Sequence, residues 1–376
     1  MLTARMLAAL LALTAPASTA LHAQAEPALR WVDVADWPLE GRAFDERAAT
    51  YDRLPAAAQR EVREAVWDLS RHSAGIAARF VTDARELHVR YRLTSASLSM
   101  YHMPATGVSG VDLYARDDGG RLRWVSVSRP SGQDVRQRLC EGLAAAPAGG
   151  REFVLYLPLY NGVEALELGV PEGAKLTPLP PRETKPIVVY GTSIAHGACA
   201  SRPGMAWPSI LSRALDREVV NLGFSGNGRM EQEVGAHVAT IDAAAFVIDC
   251  LPNMNAAQVR QRTIPLVRQL RQARPEAHIL LVEDRTFTNA WIQPARSAAH
   301  EGRRAALRAA FDALRADDRR LHYLGGASLL GDDDEGATDG SHPNDLGMQR
   351  QAAAVEAALR KALRTALRTA LRKALR

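Results

Sequence analysis

The sequence predicts two domains: an all-β sandwich or jelly-roll domain, then an α/β domain whose parallel sheet is covered by helices on both faces. Three observations predict this. Between Ala74 and Val170 short apolar or alternating runs follow one another with turn signals between them. Residues 176–186, LTPLPPRETKP, read as a stiff proline-rich linker. Beyond them short β-branched runs alternate with helical stretches, the rhythm of parallel strands joined by crossovers.

The chain opens on MLTARMLAALLALTAPASTALHAQA, residues 1–25, with a basic Arg5, an apolar stretch from Met6 to Leu13, and a small-x-small ending at Ala23-Gln24-Ala25. This is the pattern of a signal peptide whose apolar part is too short to span a bilayer. The folded protein is therefore expected to start near Glu26 and to be secreted or periplasmic. Residues 26–175 form the expected β domain. Its strands lie in IAARFVTDARELHVRYRLTS, SGVDLYARDDGGRLRWVSVS and REFVLYLPLYNGVEALELGV, with Asp117-Asp118-Gly119-Gly120 and Tyr160-Asn161-Gly162 as hairpin turns.

After the linker, strands are expected at 187–190, 218–224, 244–251, 278–284 and 320–325, and helices around 206–215, 256–274, 297–315 and 345–363. The α/β domain thus spans 187–360. Residues 361–376 read as a basic helical tail, with leucines at 359, 363, 367, 371 and 375 beside an arginine stripe. On a helix that stripe winds by about 40° per repeat and suits an anionic surface, a partner, or a solvated extension of the last helix.

The net charge of +5 becomes −2 once the seven cations of residues 360–376 are set aside, so the body of the protein has no charge signature of nucleic-acid binding. No other run is long and apolar enough for a transmembrane segment. Cys140, Cys199 and Cys250 are widely separated, leave at least one thiol unpaired, and lack metal-ligand spacing. Cys250, ending AAFVIDC, reads as a small buried hydrophobe. The acidic run Asp332 to Glu335 reads as a solvated loop; no metal and no cofactor is expected.

Chemistry gathers where the second domain's strands end. GTSIAHG follows the first strand, NLGFSGNGRME spans the end of the second, DCLPNMN the end of the third, and TDGSHPND precedes the last helix. In such sheets ligands bind outside the carboxyl ends of the strands. A serine hydroxyl needs a base, usually a histidine oriented by a carboxylate. The spacing of Asp339 and His342 lets a tight loop return the carboxylate to Nδ1, leaving Nε2 to face Ser193. Pro343 keeps the His342 backbone out of helix, and Asn344 or Asp345 can cap the helix that follows. An oxyanion would meet three donors: the amides of Ser193 and Gly226 and the side chain of Asn253. His196 reads as packing or pocket floor rather than base, and Trp207, Trp291 and Tyr101 as core aromatics or the lining of a sugar site.

These four segments, in this order, resemble the blocks of the SGNH/GDSL hydrolase superfamily: a serine in a G-x-S context, a glycine, an asparagine and a final D-x-x-H. Gly110, Asp112, Leu113 and Tyr114 form a G-x-D-L-Y pattern similar to that of the β domain preceding the SGNH domain in bacterial carbohydrate-esterase-type proteins. The resemblance covers most of residues 70–360. It implies a three-layer, flavodoxin-like α/β fold, Ser193 as nucleophile, His342 as base, Asp339 as its orienter, and Ser193, Gly226 and Asn253 as the oxyanion hole. Two departures stand out: GTSI replaces GDSL, and Leu251-Pro252-Asn253 lacks the usual glycine two residues before the asparagine.

The expected function is an exported serine esterase that removes small acyl groups, acetyl foremost, from an oligo- or polysaccharide. The same residues would serve a lipid or short-chain ester, a thioester, or acyl transfer to a second alcohol. A carbohydrate-binding protein without turnover is the reading from another class.

Overall fold

The computed structural model describes residues 28–374; the expected signal peptide, 1–25, lies outside them. With strands numbered in chain order, β1 (Leu29–Asp33), β3 (Leu87–Leu93), β6 (Asp134–Cys140) and β8 (Val163–Pro171) form one antiparallel sheet in the order β1-β8-β3-β6. A second contains β2 (Ala77–Thr82), β4 (Asp112–Arg116), β5 (Leu122–Val127), β7 (Arg151–Tyr156) and β9 (Leu176–Pro178), ordered β5-β4-β7-β2-β9. The two sheets close on a common core, as alternation dictates. In β3, Leu87, Val89, Tyr91 and Leu93 are buried, while His88, Arg90 and Arg92 face outward.

Three parts of this domain differ from the sequence reading. Asp117 to Gly120 turns a true hairpin between β4 and β5, but Tyr160-Asn161-Gly162 joins strands of different sheets and is a corner. Asn161 is buried there, bonding Ser95 through both its oxygen and its nitrogen. The presumed linker begins as strand β9 on the sheet edge, where a proline lacking an N–H is tolerated. It continues with Arg182 bridging Glu40 (2.5 Å) and Asp216 (3.0 Å). Residues 44–70, which include the short helices α1 (Ala58–Glu61) and α2 (Glu64–Ser70), belong to the other domain's core: Phe44, Leu54, Val66 and Trp67 pack with Val220, Leu222 and Phe224.

The second domain carries a parallel sheet of β10 (Ile187–Gly191), β11 (Val219–Gly223), β12 (Ala245–Asp249), β13 (His278–Val282) and β14 (Leu321–Leu324), ordered β11-β10-β12-β13-β14. Every residue of β10, β11 and β12 is buried, as expected of strands covered on both faces. Val188 and Tyr190 enter one apolar layer, shared with α6 (Gln232–Thr240), α7 (Ala256–Ala273) and α8 (Pro294–Arg315). Ile187 and Val189 enter the other, shared with α5 (Trp207–Leu215) and α9 (Asp345–Ala374). Helix α6 has no counterpart in the sequence reading. As far as Ala374, the last described residue, the presumed basic tail continues α9 without a break. Because β10 lies between β11 and β12, the chain reverses direction across the sheet at its carboxyl end, where a crevice opens.

Candidate active site

Ser193 opens α4 (Ser193–His196), a single turn immediately after β10. Thr192 caps it, its Oγ1 accepting from Ile194 N at 3.3 Å, and Gly197, in the left-handed region at φ 115°, ends it. Ser193 Oγ lies 2.9 Å from His342 Nε2, a contact closed over 149 residues of chain. On the other side of the ring, His342 Nδ1 lies 2.7 Å from Asp339 Oδ2. A carboxylate only accepts, so Nδ1 carries the proton, Nε2 is the lone-pair side, and the serine O–H donates to it. Asp339 Oδ1 accepts from the backbone N–H groups of Ser341 (3.0 Å) and His342 (2.8 Å). Burial alone would raise this carboxyl, but those N–H groups and the His342 ring hold it down to about 2.

The turn after β11 supplies the glycines. Gly226 sits at φ 69° with no atom near the place of a Cβ, so its backbone is both left-handed and open to a ligand. At Gly228 a Cβ would fall 1.9 Å from Gly191 O; only glycine lets this turn lie against the strand that leads to Ser193. Asn253 follows β12 and is tied to the same turn. In the amide orientation that satisfies both of its ends, its oxygen accepts from Asn227 N (3.0 Å) and Gly228 N (3.3 Å), and Nδ2 is directed away from that turn. Asn255 then starts α7 with a capping box, exchanging two 2.9 Å bonds with Gln258.

The other residues singled out from sequence fall as follows. His196 is fully buried, stacks on Tyr160 with centroids 4.2 Å apart, and donates from Nε2 to Leu159 O at 2.7 Å. Burial, with Arg53 and His72 nearby, drives its pKa well below the usual value, so it is a neutral packing residue. Cys250 is buried against Tyr190 O, and burial pushes its thiol up. Trp207 is core, whereas Tyr101 and Trp291 are exposed. In the acidic run, Asp333 pairs with Arg350. Asn344 caps α9, accepting from Gly347 N at 3.1 Å. Asp345 instead reaches across to Ser201, accepting from its N at 2.9 Å and its Oγ at 2.5 Å, and so ties the histidine loop to the segment after α4.

Sequence reading missed the residues by which the β domain holds this site. In the G-x-D-L-Y strand Leu113 points into the sandwich core, while Asp112 and Tyr114, two apart, both face the α/β domain. Asp112 Oδ2 accepts from Gly204 N (2.8 Å) and Arg202 Nη1 (2.9 Å), and Tyr114 OH also meets Arg202. Thr106 Oγ1 donates to Ser201 O at 2.7 Å, and Tyr160 OH to Ser193 O at 3.3 Å. Arg53, fully buried, donates to the carbonyls of Asn221 and Gly223 at the end of β11; burial lowers its pKa to about 9. Arg63 reaches the glycine turn through Asn227 Oδ1 at 2.7 Å.

Two family models match the chain: the GDSL-like lipase/acylhydrolase family over residues 184–360, and the N-terminal domain of SGNH-hydrolase-type esterases, named for its GxDLY motif, over residues 29–176. Among curated proteins no match to the sequence was found. A solved structure from Bacteroides ovatus, described as a GDSL-like lipase, superposes with a TM-score of 0.84 at 32% identity, covering 90% of this chain and 98% of that one. A salicylyl-acyltransferase from a tetracycline biosynthetic pathway shares the fold at a TM-score of 0.69 and 18% identity, covering 89% and 97%. A family two carbohydrate esterase from Cellvibrio japonicus does so at 0.56 and 14%, covering 89% and 98%. Similarity along nearly the whole length of the Bacteroides chain, together with both matched segments, places this protein in the GDSL-like lipase/acylhydrolase family of SGNH-type hydrolases, with a GxDLY domain at its N-terminal side.

Proposed function

We propose that this hydrolase is an exported serine esterase that cleaves small acyl groups, acetyl foremost, from a carbohydrate, with Ser193, His342 and Asp339 as its catalytic residues. The observation that carries the proposal is the unbroken chain of hydrogen bonds from Ser193 Oγ through the His342 ring to Asp339. Ser193 Oγ attacks the ester carbonyl as its proton passes to His342 Nε2, and the imidazolium returns that proton to the departing alcohol. Water then repeats the sequence on the acyl-enzyme. Asp339, ionised at any working pH, fixes the ring's tautomer and balances the imidazolium charge. The Ser193 and Gly226 amides and Asn253 Nδ2 are assigned to the oxyanion, which gains charge only as the bond forms.

The carbohydrate assignment is supported by the fold shared with the Cellvibrio family two carbohydrate esterase and by the exposed Tyr101, whose ring lies against His102, itself 6.1 Å from the His342 ring. Export is supported by the leader-like pattern of residues 1–25. The test is covalent labelling by a serine-directed fluorophosphonate together with acetate release from acetylated xylan. The wild-type protein should label and release acetate, and Ser193→Ala should do neither while melting like the wild type. Labelling of Ser193→Ala at the wild-type rate would put the nucleophile elsewhere.

A further inference from the structure

The residues from Leu93 to Val111 include no Asp, Glu, Lys or Arg, in a chain of which 24% is charged. They form the loop by which the β domain reaches the catalytic crevice. Its base is fixed. Met103 is buried in the apolar layer of the α/β domain beside Ile194 and Ala198, and Met100 and Met103 exchange backbone hydrogen bonds at 3.0 and 3.1 Å. Gly107 lies so close to the segment after α4 that a Cβ would meet Ala200 O at 2.5 Å. The tip has nowhere to retreat to, yet it is left open. Tyr101 is 96% exposed and lies against His102, ring centroids 4.3 Å apart, and the His102 ring is 6.1 Å from that of His342.

Large exposed hydrophobic side chains gather around the same place. Among the described residues six are found, and five of them, Met100, Tyr101, Trp291, Ile292 and Leu346, lie on segments adjoining the Asp339–His342 loop. Trp291 and Ile292 belong to a loop tied to it by Thr288 N donating to Gly340 O at 2.9 Å. Leu346 lies four residues beyond His342, in the first turn of α9. Exposed apolar residues on several segments that meet at the His342 loop mark a binding surface rather than stray exposure. Within it His102 Nδ1 is enclosed and has no hydrogen-bond partner in the protein. Its burial and the charge of His342 lower the His102 pKa, against the opposing pull of Asp339, which leaves a neutral imidazole able to donate from one nitrogen and accept at the other.

We propose that the Met100–His102 tip of the β domain is the leaving-group subsite of this esterase, Tyr101 carrying the face of a neutral sugar ring and His102 hydrogen-bonding a hydroxyl beside the scissile ester. The chemistry selects that ligand class. A ring face with C–H bonds matches an exposed aromatic ring, and a hydroxyl matches a neutral imidazole. An uncharged loop has nothing to pair with a uronate or a phosphate.

This subsite rests on Ser193 being the nucleophile, so fluorophosphonate labelling of the wild-type protein comes first; absence of labelling at Ser193 would overturn that assignment. With labelling in hand, kcat/KM is measured on acetylated cellobiose and on 4-nitrophenyl acetate for the wild-type protein, Tyr101→Ala, His102→Ala and His102→Gln. The expected result is a roughly tenfold fall in the disaccharide-to-aryl ratio for Tyr101→Ala and for His102→Ala, partly restored in His102→Gln, which keeps a donor and an acceptor. Tyr101 makes almost no contact with the fold, so its variant is expected to melt with the wild type. Equal losses on both esters, or an unchanged ratio in all three variants, would overturn the subsite. So would a larger effect of Tyr101→Ala on a long-chain acyl ester than on the disaccharide.

Discussion

Replacing Asp112 should unfasten the two domains at the point where the β domain holds the segment after Ser193 and its helical turn. The carboxylate is fully buried and takes three donors: Gly204 N at 2.8 Å, Arg202 Nη1 at 2.9 Å and Trp124 Nε1 at 3.0 Å. Burial pushes its pKa up despite Arg202, so much of the attraction is offset by desolvation. The cost of Asp112→Ala therefore comes from what is left behind: a largely buried guanidinium and a buried amide without an acceptor. Removing one partner of a buried pair costs about 3–5 kcal/mol, and we expect about 4 here. At an unfolding entropy of about 2.1 cal/mol/K per residue, a chain of this length loses roughly 1.3 °C per kcal/mol, so the melting temperature should fall by about 5 °C. Asp112→Asn is the sharper test. It preserves the shape, and with its amide oxygen in the place of Oδ2 it still accepts from Gly204 N and Arg202, leaving its NH2 opposed only to Trp124 Nε1, so it should recover the greater part of the hydrogen bonding but not the charge pairing with Arg202. Calorimetry on the full chain, with 4-nitrophenyl acetate turnover below the transition, reads both consequences. Displacement of residues 201–205 should lower turnover at least about tenfold, since misplacement of an attacking group by about 1 Å can cost 10²-fold. If both variants melt within about 2 °C of the wild type, the latch is not what holds this segment.

Asp339→Asn should lower kcat on the order of 10⁴-fold with little change in KM, because it spoils the tautomer and charge balance of His342 rather than a substrate contact. With Asp339 held at about 2, its carboxylate is already ionised above the usual carboxylate range, and what it contributes to stability is lost only as pH falls toward about 2. The pH profile of kcat/KM in the wild type should therefore carry no limb from Asp339 near about pH 4, and such a limb would refute the assignment. Asn253→Ala should reduce turnover by roughly 10²–10³ with little effect on KM if its Nδ2 meets the oxyanion. If Asn253 serves only to tie down the Asn227–Gly228 turn, the variant should instead melt earlier and keep its turnover per folded molecule.

The parts of this protein that were legible in the sequence are those whose reason is local. The strands β10 to β14 announce themselves as short apolar runs, and Ser193, Gly226, Asn253 and His342 stand out because polar clusters at strand ends have no packing rationale. Helix α6 did not, because Gly235 and Thr240 are poor helix formers and its two acids or bases, Glu233 and His237, make no amphipathic signal; its place is set by packing on α7. Tyr160-Asn161-Gly162 has the composition of a hairpin turn, yet whether the next strand pairs with the last or joins the facing sheet is decided by long-range contacts. Residues 44–70 misled for a similar reason. Phe44, Leu54, Val66 and Trp67 are scattered among alanines and charges without a period, and nothing local says which core they join. Arg53 is the extreme case: an arginine is ordinarily at the surface, and its burial depends on carbonyls from His72, Leu69, Asn221 and Gly223, which sequence alone cannot bring together.

That dependence explains why a β domain precedes the catalytic sheet at all. Helix α4 is one turn long, and a single turn fixes several dihedrals for very little hydrogen bonding, so it has almost no stability of its own. Ser193 can face His342 only if α4 is held from outside. Asn221 Nδ2, donating to Ala195 O at 2.7 Å, holds it from within the catalytic sheet. Leu159 O and Tyr160 OH hold it from the β domain, while Thr106 and Asp112 fix the chain that leaves it and Asp345 ties that chain to the histidine loop. His196, three residues from the serine, is therefore neutral for a physical reason: its ring is the peg by which the β domain grips the Ser193 turn, and a charged or mobile imidazole would loosen that grip. The two matched segments of this chain are accordingly one structural unit, because the geometry of the first hydrogen bond in the proposed triad is set by residues of both.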